Sequence, residues 1–175
     1  NVNCNGSATG NLNLTVTGGT PNYTFLWNTG DATEDISGID SGVYSIIITD
    51  NRGCTRLDTF VVTEPSALFT SGFINNVTCF GLCDGFADIT AYGGTLPYTY
   101  VWSTGQSTED IGNLCGNDYF VTVTDANACS VVSLYIVKEP TLLTLNVTAT
   151  NVSCFGGKNG TLTAFPGGGS TPYEY

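Results

Sequence analysis

Seven cysteines and fifteen carboxylates are the groups here that could do chemistry, and no histidine stands beside them to activate either. Without imidazole there is no ordinary Ser-His-Asp or Cys-His nucleophile system and no Cys-His zinc site. Adjacent acids occur twice, as Glu34-Asp35 and Glu109-Asp110 within a recurring Thr-Glu-Asp-Ile. Neighbours on a strand point to opposite faces, which is poor geometry for an acid/base pair. No catalytic residue is assigned, and the segment is read as not an enzyme. Hard oxygen ligands for Ca²⁺ are offered by Asp31, Glu34, Asp35, Asp40 and Asp50, which could converge at loop ends. The competing reading is that acids in turns cap backbone N–H groups, and no Asp-x-Asp-x-Asp-Gly loop is present. No firm metal site and no cofactor are therefore assigned; Asp50 and Asp125 are read as organisers of their turns.

The spacing of the cysteines is the stronger signal. Cys4, Cys79 and Cys154 are each 75 residues apart, as are Tyr23, Tyr98 and Tyr173. Trp27 pairs with Trp102 at the same offset, Asp50 with Asp125, Cys54 with Cys129 and Pro65 with Pro140. A shared period of this length means stacked or strung structural units. The Glu64-Pro65 and Glu139-Pro140 pairs end each unit, because proline lacks the N–H that a central strand needs. Residues 1–65 read as a partial repeat lacking its first strand, 66–140 as a complete repeat, and 141–175 as the N-terminal part of a third. The native polypeptide is expected to continue in both directions.

Cys83 and Cys115 occur only in the second copy, where the first has Ala8 and Asp40. Cysteines that appear together are expected to be bonded together, which assigns Cys83–Cys115. Cys4–Cys54 and Cys79–Cys129 are assigned in the same way, with Cys154 pairing beyond the end of the chain. Each such loop of 50 residues would stabilise its unit by roughly 4 kcal/mol in the chain-entropy model. Cys54 sits beside a turn, so its bond is expected to pin one pole of the unit.

The elements that position these residues read as strands. Leu12, Leu14 and Val16 alternate with Asn13, Thr15 and Thr17. Gly18-Gly19-Thr20-Pro21 makes a turn. Tyr23, Phe25 and Trp27 form the next inward face, repeated by Tyr98, Tyr100 and Trp102. Tyr44, Ile46 and Ile48 follow, matched by Tyr119, Val121 and Val123. Asp50-Asn51-Arg52-Gly53 is a hairpin turn, and a closing strand covers residues 59–63. With a leading strand near 68–74, about seven short strands fill one repeat. The fold class is all-β: tandem immunoglobulin-like antiparallel β-sandwich domains, disulfide-stapled, with a small barrel as the alternative.

Composition agrees with this class: there are 22 glycines and no methionine, and fifteen carboxylates against four basic residues give a net charge of −11. That surface repels nucleic acid and anionic lipid, and no apolar run is long enough to insert into a membrane. Cysteine-rich and histidine-free chains of this kind suit an oxidising, extracellular setting.

Cys79-Phe80-Gly81, then GGTLPYTYVWSTG, YFVTVTDANAC and a closing KEP, resembles the SprB repeat family of large surface adhesins in gliding Bacteroidota. The first copy reads GGTPNYTFLWNTG, GVYSIIITDNRGC and TEP; the third begins CFGGKNGTLTAFPGGGSTPYEY. The first copy departs with Asn5 where the others have Phe80 and Phe155, and the second with Asn117 for Gly42. The resemblance implies a mosaic protein of the bacterial cell surface, exported by type IX secretion and used in adhesion or gliding motility.

The function expected is that of a shaft or spacer within such an adhesin or filament, its partners being neighbouring repeats of the same chain. A second reading has the repeats themselves bind a polysaccharide or protein, and a third makes them an accessory module of a secreted enzyme. Tyr92 and Phe120 could serve a sugar platform, yet packing between repeats is favoured for them and for Phe69 and Phe73.

Overall fold

The computed structural model describes residues 1–174, and every regular element among them is a β-strand. The first copy carries β1 (Gly10–Leu12), β2 (Thr24–Trp27), β3 (Ile36–Ile39), β4 (Gly42–Thr49) and β5 (Thr55–Val62). The second carries β6 (Phe69–Asn75), β7 (Gly85–Tyr92), β8 (Thr99–Trp102), β9 (Ile111–Leu114), β10 (Asn117–Thr124) and β11 (Ser130–Val137). The third contributes β12 (Thr144–Thr150) and β13 (Thr161–Gly167). By contacts the described chain forms two compact units, one of residues 1–70, 91–99 and 123–131, the other of 71–90, 100–122 and 132–175.

In the second copy two three-stranded sheets form, β6-β7-β9 and β8-β10-β11. In the first, β1-β3 is a two-stranded sheet and β2-β4-β5 a three-stranded one. The pairing is antiparallel, with β2 on β4 from Thr24↔Thr49 to Trp27↔Ile46 and β4 on β5 from Gly42↔Val62 to Thr49↔Thr55. The architecture is thus the expected tandem β-sandwich. The second copy has six strands rather than the seven expected.

Alternation explains which face is buried. Trp27, Ile36, Tyr44, Ile46 and Val62 close on Val2 to make the first core, with Leu12, Leu14, Phe25, Ile48 and Phe60 around it. The second copy buries the counterparts Val77, Trp102, Ile111, Tyr119, Val121 and Val137. Each such aliphatic side chain contributes about 1.5–3 kcal/mol of transfer free energy. Leu12, Leu14 and Val16 are half-buried, whereas Ala87, Ile89 and Ala91 are buried. The difference tracks β6, which flanks β7; no described strand flanks β1 on that side, and β1 stops after three residues. Tyr44 and Tyr119 each donate from their hydroxyl to the carbonyl four residues upstream, Asp40 and Cys115, at 3.0 and 3.1 Å. This tyrosine corner is a habit of immunoglobulin-type sandwiches.

The disulfides depart from the sequence reading. Cys83 is bonded to Cys115. Cys4, however, is bonded to Cys129, 125 residues away, and not to Cys54. Cys79 is likewise not bonded to Cys129; Cys54, Cys79 and Cys154 are all exposed thiols. Strand length is the reason. Cys54 precedes β5 and Val2 is tied to the residue after it, through Val2 N donating to Thr63 O at 2.9 Å. Eight strand residues span roughly 26 Å, while a disulfide needs Cα atoms within about 7 Å. The two cysteines of one copy therefore lie at opposite ends of it. Phe69, expected to pack between repeats, instead stacks on Tyr92 of its own copy, with ring centroids 5.3 Å apart.

Candidate functional site

The chemistry-bearing residues gather at the two ends of each copy. At one end the Gly-Gly turn meets the Asp turn. Asp50 accepts hydrogen bonds from the backbone N–H of Thr20 at 3.0 Å and of Arg52 and Cys54 at 2.9 Å each. Asp125 repeats the pattern with Thr95, Asn127 and Cys129, all at 2.9 Å. The bonds from Thr20 and then Cys54 hold the Asp50 carboxyl below the usual range, because they favour its charged form. Gly19 and Gly94 have positive φ, and a side chain there would run into Asp50 or Asp125. This clamp fixes the loop that presents Cys54 or Cys129.

At the other end lies the first cysteine with the Glu-Pro exit. Gly6 N donates to Glu64 Oε2 at 2.6 Å, and Gly81 N donates to Glu139 in the same way. The cysteine carbonyl accepts from the third residue onward in every copy: Ser7 N to Cys4 at 3.2 Å, Leu82 N to Cys79 at 3.1 Å, Gly157 N to Cys154 at 2.9 Å. A side-chain oxygen closes each loop as well. Thr9 accepts from Asn3 N at 2.9 Å, Asp84 from Thr78 N at 3.0 Å, and Asn159 from Ser153 N at 3.0 Å. The Thr78 hydroxyl also donates to Asp84, and it leads the causes that lower the carboxyl's pKa. Sequence reasoning read the cysteines and prolines of this end but gave its glutamates no role of their own. Glu64 and Glu139 recur at the same period and were the available signal; residues 9, 84 and 159 change type, so only their shared ability to accept could have found them.

The acids proposed as metal ligands are dispersed. Asp31 accepts from the Thr29 hydroxyl at 2.7 Å, Asp35 from Leu14 N at 2.8 Å, and Asp40 serves through its carbonyl. Glu34 is exposed. Among the described residues no three or more His, Cys, Asp or Glu are grouped to hold a metal. The Thr-Glu-Asp-Ile motif instead latches the core tryptophan. Trp27 Nε1 donates to Thr33 O and Trp102 Nε1 to Thr108 O, each at 2.9 Å, while Asp110 takes Ile89 N at 2.9 Å as Asp35 takes Leu14 N.

A cleft of about 450 Å³ in the first copy is lined by Leu14, Tyr23, Ile48, Arg56, Asp58 and Phe60. Its one cation is occupied, since Arg56 holds Asp58 at 3.0 Å. Its lip, residues 17–19, is the counterpart of 92–94. There the leading segment of the second copy lies across: Gly94 N donates to Ser66 O at 2.8 Å, and Phe69 covers Tyr92. The lip of the first-copy cleft thus shares its register with the surface that residues 66–69 cover in the second.

Residues 1–32, 71–107 and 146–175 each match the family described as SprB repeat, as the motifs indicated. Each matched stretch holds one exit cysteine and one Gly-Gly turn. No curated protein matches the chain. No helix among the described residues is long and apolar enough to cross a membrane.

Proposed function

Because the chain belongs to the SprB repeat family, we propose that it is a stretch of shaft in a large adhesin of the bacterial cell surface, holding an adhesive part away from the cell. The observation that supports this is the kind of feature that recurs. Asp clamps, tryptophan latches and Glu-bound cysteine loops reappear copy after copy, and all of them hold backbone in place. In this reading the segment catalyses nothing and needs no cofactor, and Asp35, Asp50, Glu64, Asp84, Asp110, Asp125 and Glu139 serve by accepting hydrogen bonds from backbone N–H groups. Export by type IX secretion and service in adhesion or gliding follow as the whole protein's role.

One observation favours a second reading, in which the repeats bind a polysaccharide or protein. The outer face of β2-β4-β5 aligns exposed Leu26, Ile47 and Leu57 across its three strands, and exposed apolar rows of this kind are sites of association. The 175-residue chain, labelled and applied to a glycan array, is expected to give no saturable binding. Saturable binding that is lost on Ile47→Glu would replace the shaft with a ligand-binding array. A melting curve with and without chelator is expected to show no shift; a lower midpoint with chelator would restore Ca²⁺ as a structural ligand.

A further inference from the structure

We infer that the Cys4–Cys129 bond is one instance of a periodic staple, in which the exit cysteine of each repeat is bonded to the turn cysteine of the next. Cys79 and Cys154 are then half of a staple toward a following repeat, and Cys54 is half of a staple toward a preceding one. The partner in each case is another repeat of the same kind. This goes beyond the shaft reading and holds whether the array is a spacer or a binder.

The bonded pair joins two positions of the repeat register that every copy possesses. Cys4, Cys79 and Cys154 are presented by the same loop, closed by the same carbonyl bond three residues on. Cys54 and Cys129 are presented by the same three-amide Asp clamp. The junction carries a second contact besides the sulfurs, since Asn127 Nδ2 donates to Asn3 O at 3.0 Å and to the Thr95 hydroxyl at 3.0 Å. Asn3 precedes the exit cysteine and Asn127 lies in the turn of the next copy, so the bonded geometry has hydrogen-bond support of its own. Within one copy the same two registers lie a strand length apart and cannot meet. All three unbonded cysteines are exposed, as a half-staple must be.

Formation needs a disulfide oxidant. A thiolate such as Cys79 attacks the oxidant's disulfide and releases one of its sulfurs as a thiol. The turn cysteine of the next repeat then displaces the second sulfur, so two protons and two electrons pass from the cysteine pair to the oxidant.

The test maps disulfides by alkylation and non-reducing peptide mass spectrometry after folding with oxidised glutathione. In the 175-residue chain, Cys4 is expected joined to Cys129, with Cys54, Cys79 and Cys154 alkylated. A Cys4–Cys54 or Cys79–Cys129 peptide would overturn the inference. The chain is then lengthened at its C-terminus by a copy of residues 26–65, which by the repeat register completes the third copy. It places a new cysteine 125 residues after Cys79, the spacing of the observed bond. Cys79 is expected to bond to it, reducing the alkylated thiols to Cys54 and Cys154. Bonding of the new cysteine to Cys154, or alkylation of both it and Cys79, would overturn the staple. Cys4→Ser in the unlengthened chain supplies a check independent of the addition. Cys129 is expected to become alkylatable there, and its capture by Cys79 would count against the inference.

Discussion

At the scale of single residues, Asp50 carries the clearest electrostatic consequence. Its carboxyl is held below the ordinary value of 3.8 by the N–H groups of Thr20 and Cys54. A depressed folded-state pKa means the clamp's contribution is fully present above the unfolded value and drains as pH falls through the lowered one. Carbon NMR of the Asp50 carboxyl is therefore expected to give a midpoint below 3.8, and Asp50→Asn should remove the corresponding acid-sensitive step from the Thr20 and Cys54 amide signals. A midpoint at or above the ordinary value would show that the three amides do not bind the carboxylate in solution. Asp50 as turn organiser was legible in the sequence, since Asp at the head of a Gly-ended turn has little else to do. Of the cysteine partners, Cys83–Cys115 was legible too, whereas the partner of Cys4 was not. Offsets of 50 and 125 residues connect the same two registers of a 75-residue repeat, so periodicity alone cannot tell a bond within a copy from one into the next. Only the length of β5 separates them.

At the scale of elements, period-two alternation located the faces of β2, β4, β8 and β10 and their buried Trp27, Ile46, Trp102 and Val121. It overestimated the strand through Leu14 and Val16, because side chains can alternate inward while the backbone lacks a partner strand. Hydrogen bonding between strands is a tertiary property that composition does not carry. The hairpin between β10 and β11 offers a prediction of its own. Ala128 has φ 65° where its counterpart Gly53 has 83°. Left-handed backbone costs an L-residue about 1–2 kcal/mol, offset in part by the greater chain entropy glycine loses on folding. Ala128→Gly is expected to stabilise the second copy by about 0.5–1 kcal/mol. Thermal melting checks this, and a lowered midpoint would show that Ala128 sits there without strain.

At the scale of the whole molecule, the covalent map matters more than any one core. Closing 125 residues removes loop entropy worth up to about 5 kcal/mol in the chain-entropy model. Cys4→Ser is expected to destabilise the chain toward that limit while leaving Cys83–Cys115 intact, as read by denaturant melting without reductant. An unchanged midpoint would show that the bond constrains nothing the fold does not already constrain.

The same bond changes how a pull along the molecule would be carried. Tension applied at Cys4 passes through sulfur to Cys129 and never loads the backbone between them, so those residues can lose their fold without lengthening the tether. With the staple recurring at each junction, the load walks from Cys129 to Cys154, 25 residues, before it crosses the next sulfur pair. That backbone reaches about 90 Å at full stretch, against roughly 500 Å for two unstapled repeats pulled out end to end. An oxidised array would behave as a cable of nearly fixed length, and a reduced one as a spring with several-fold travel.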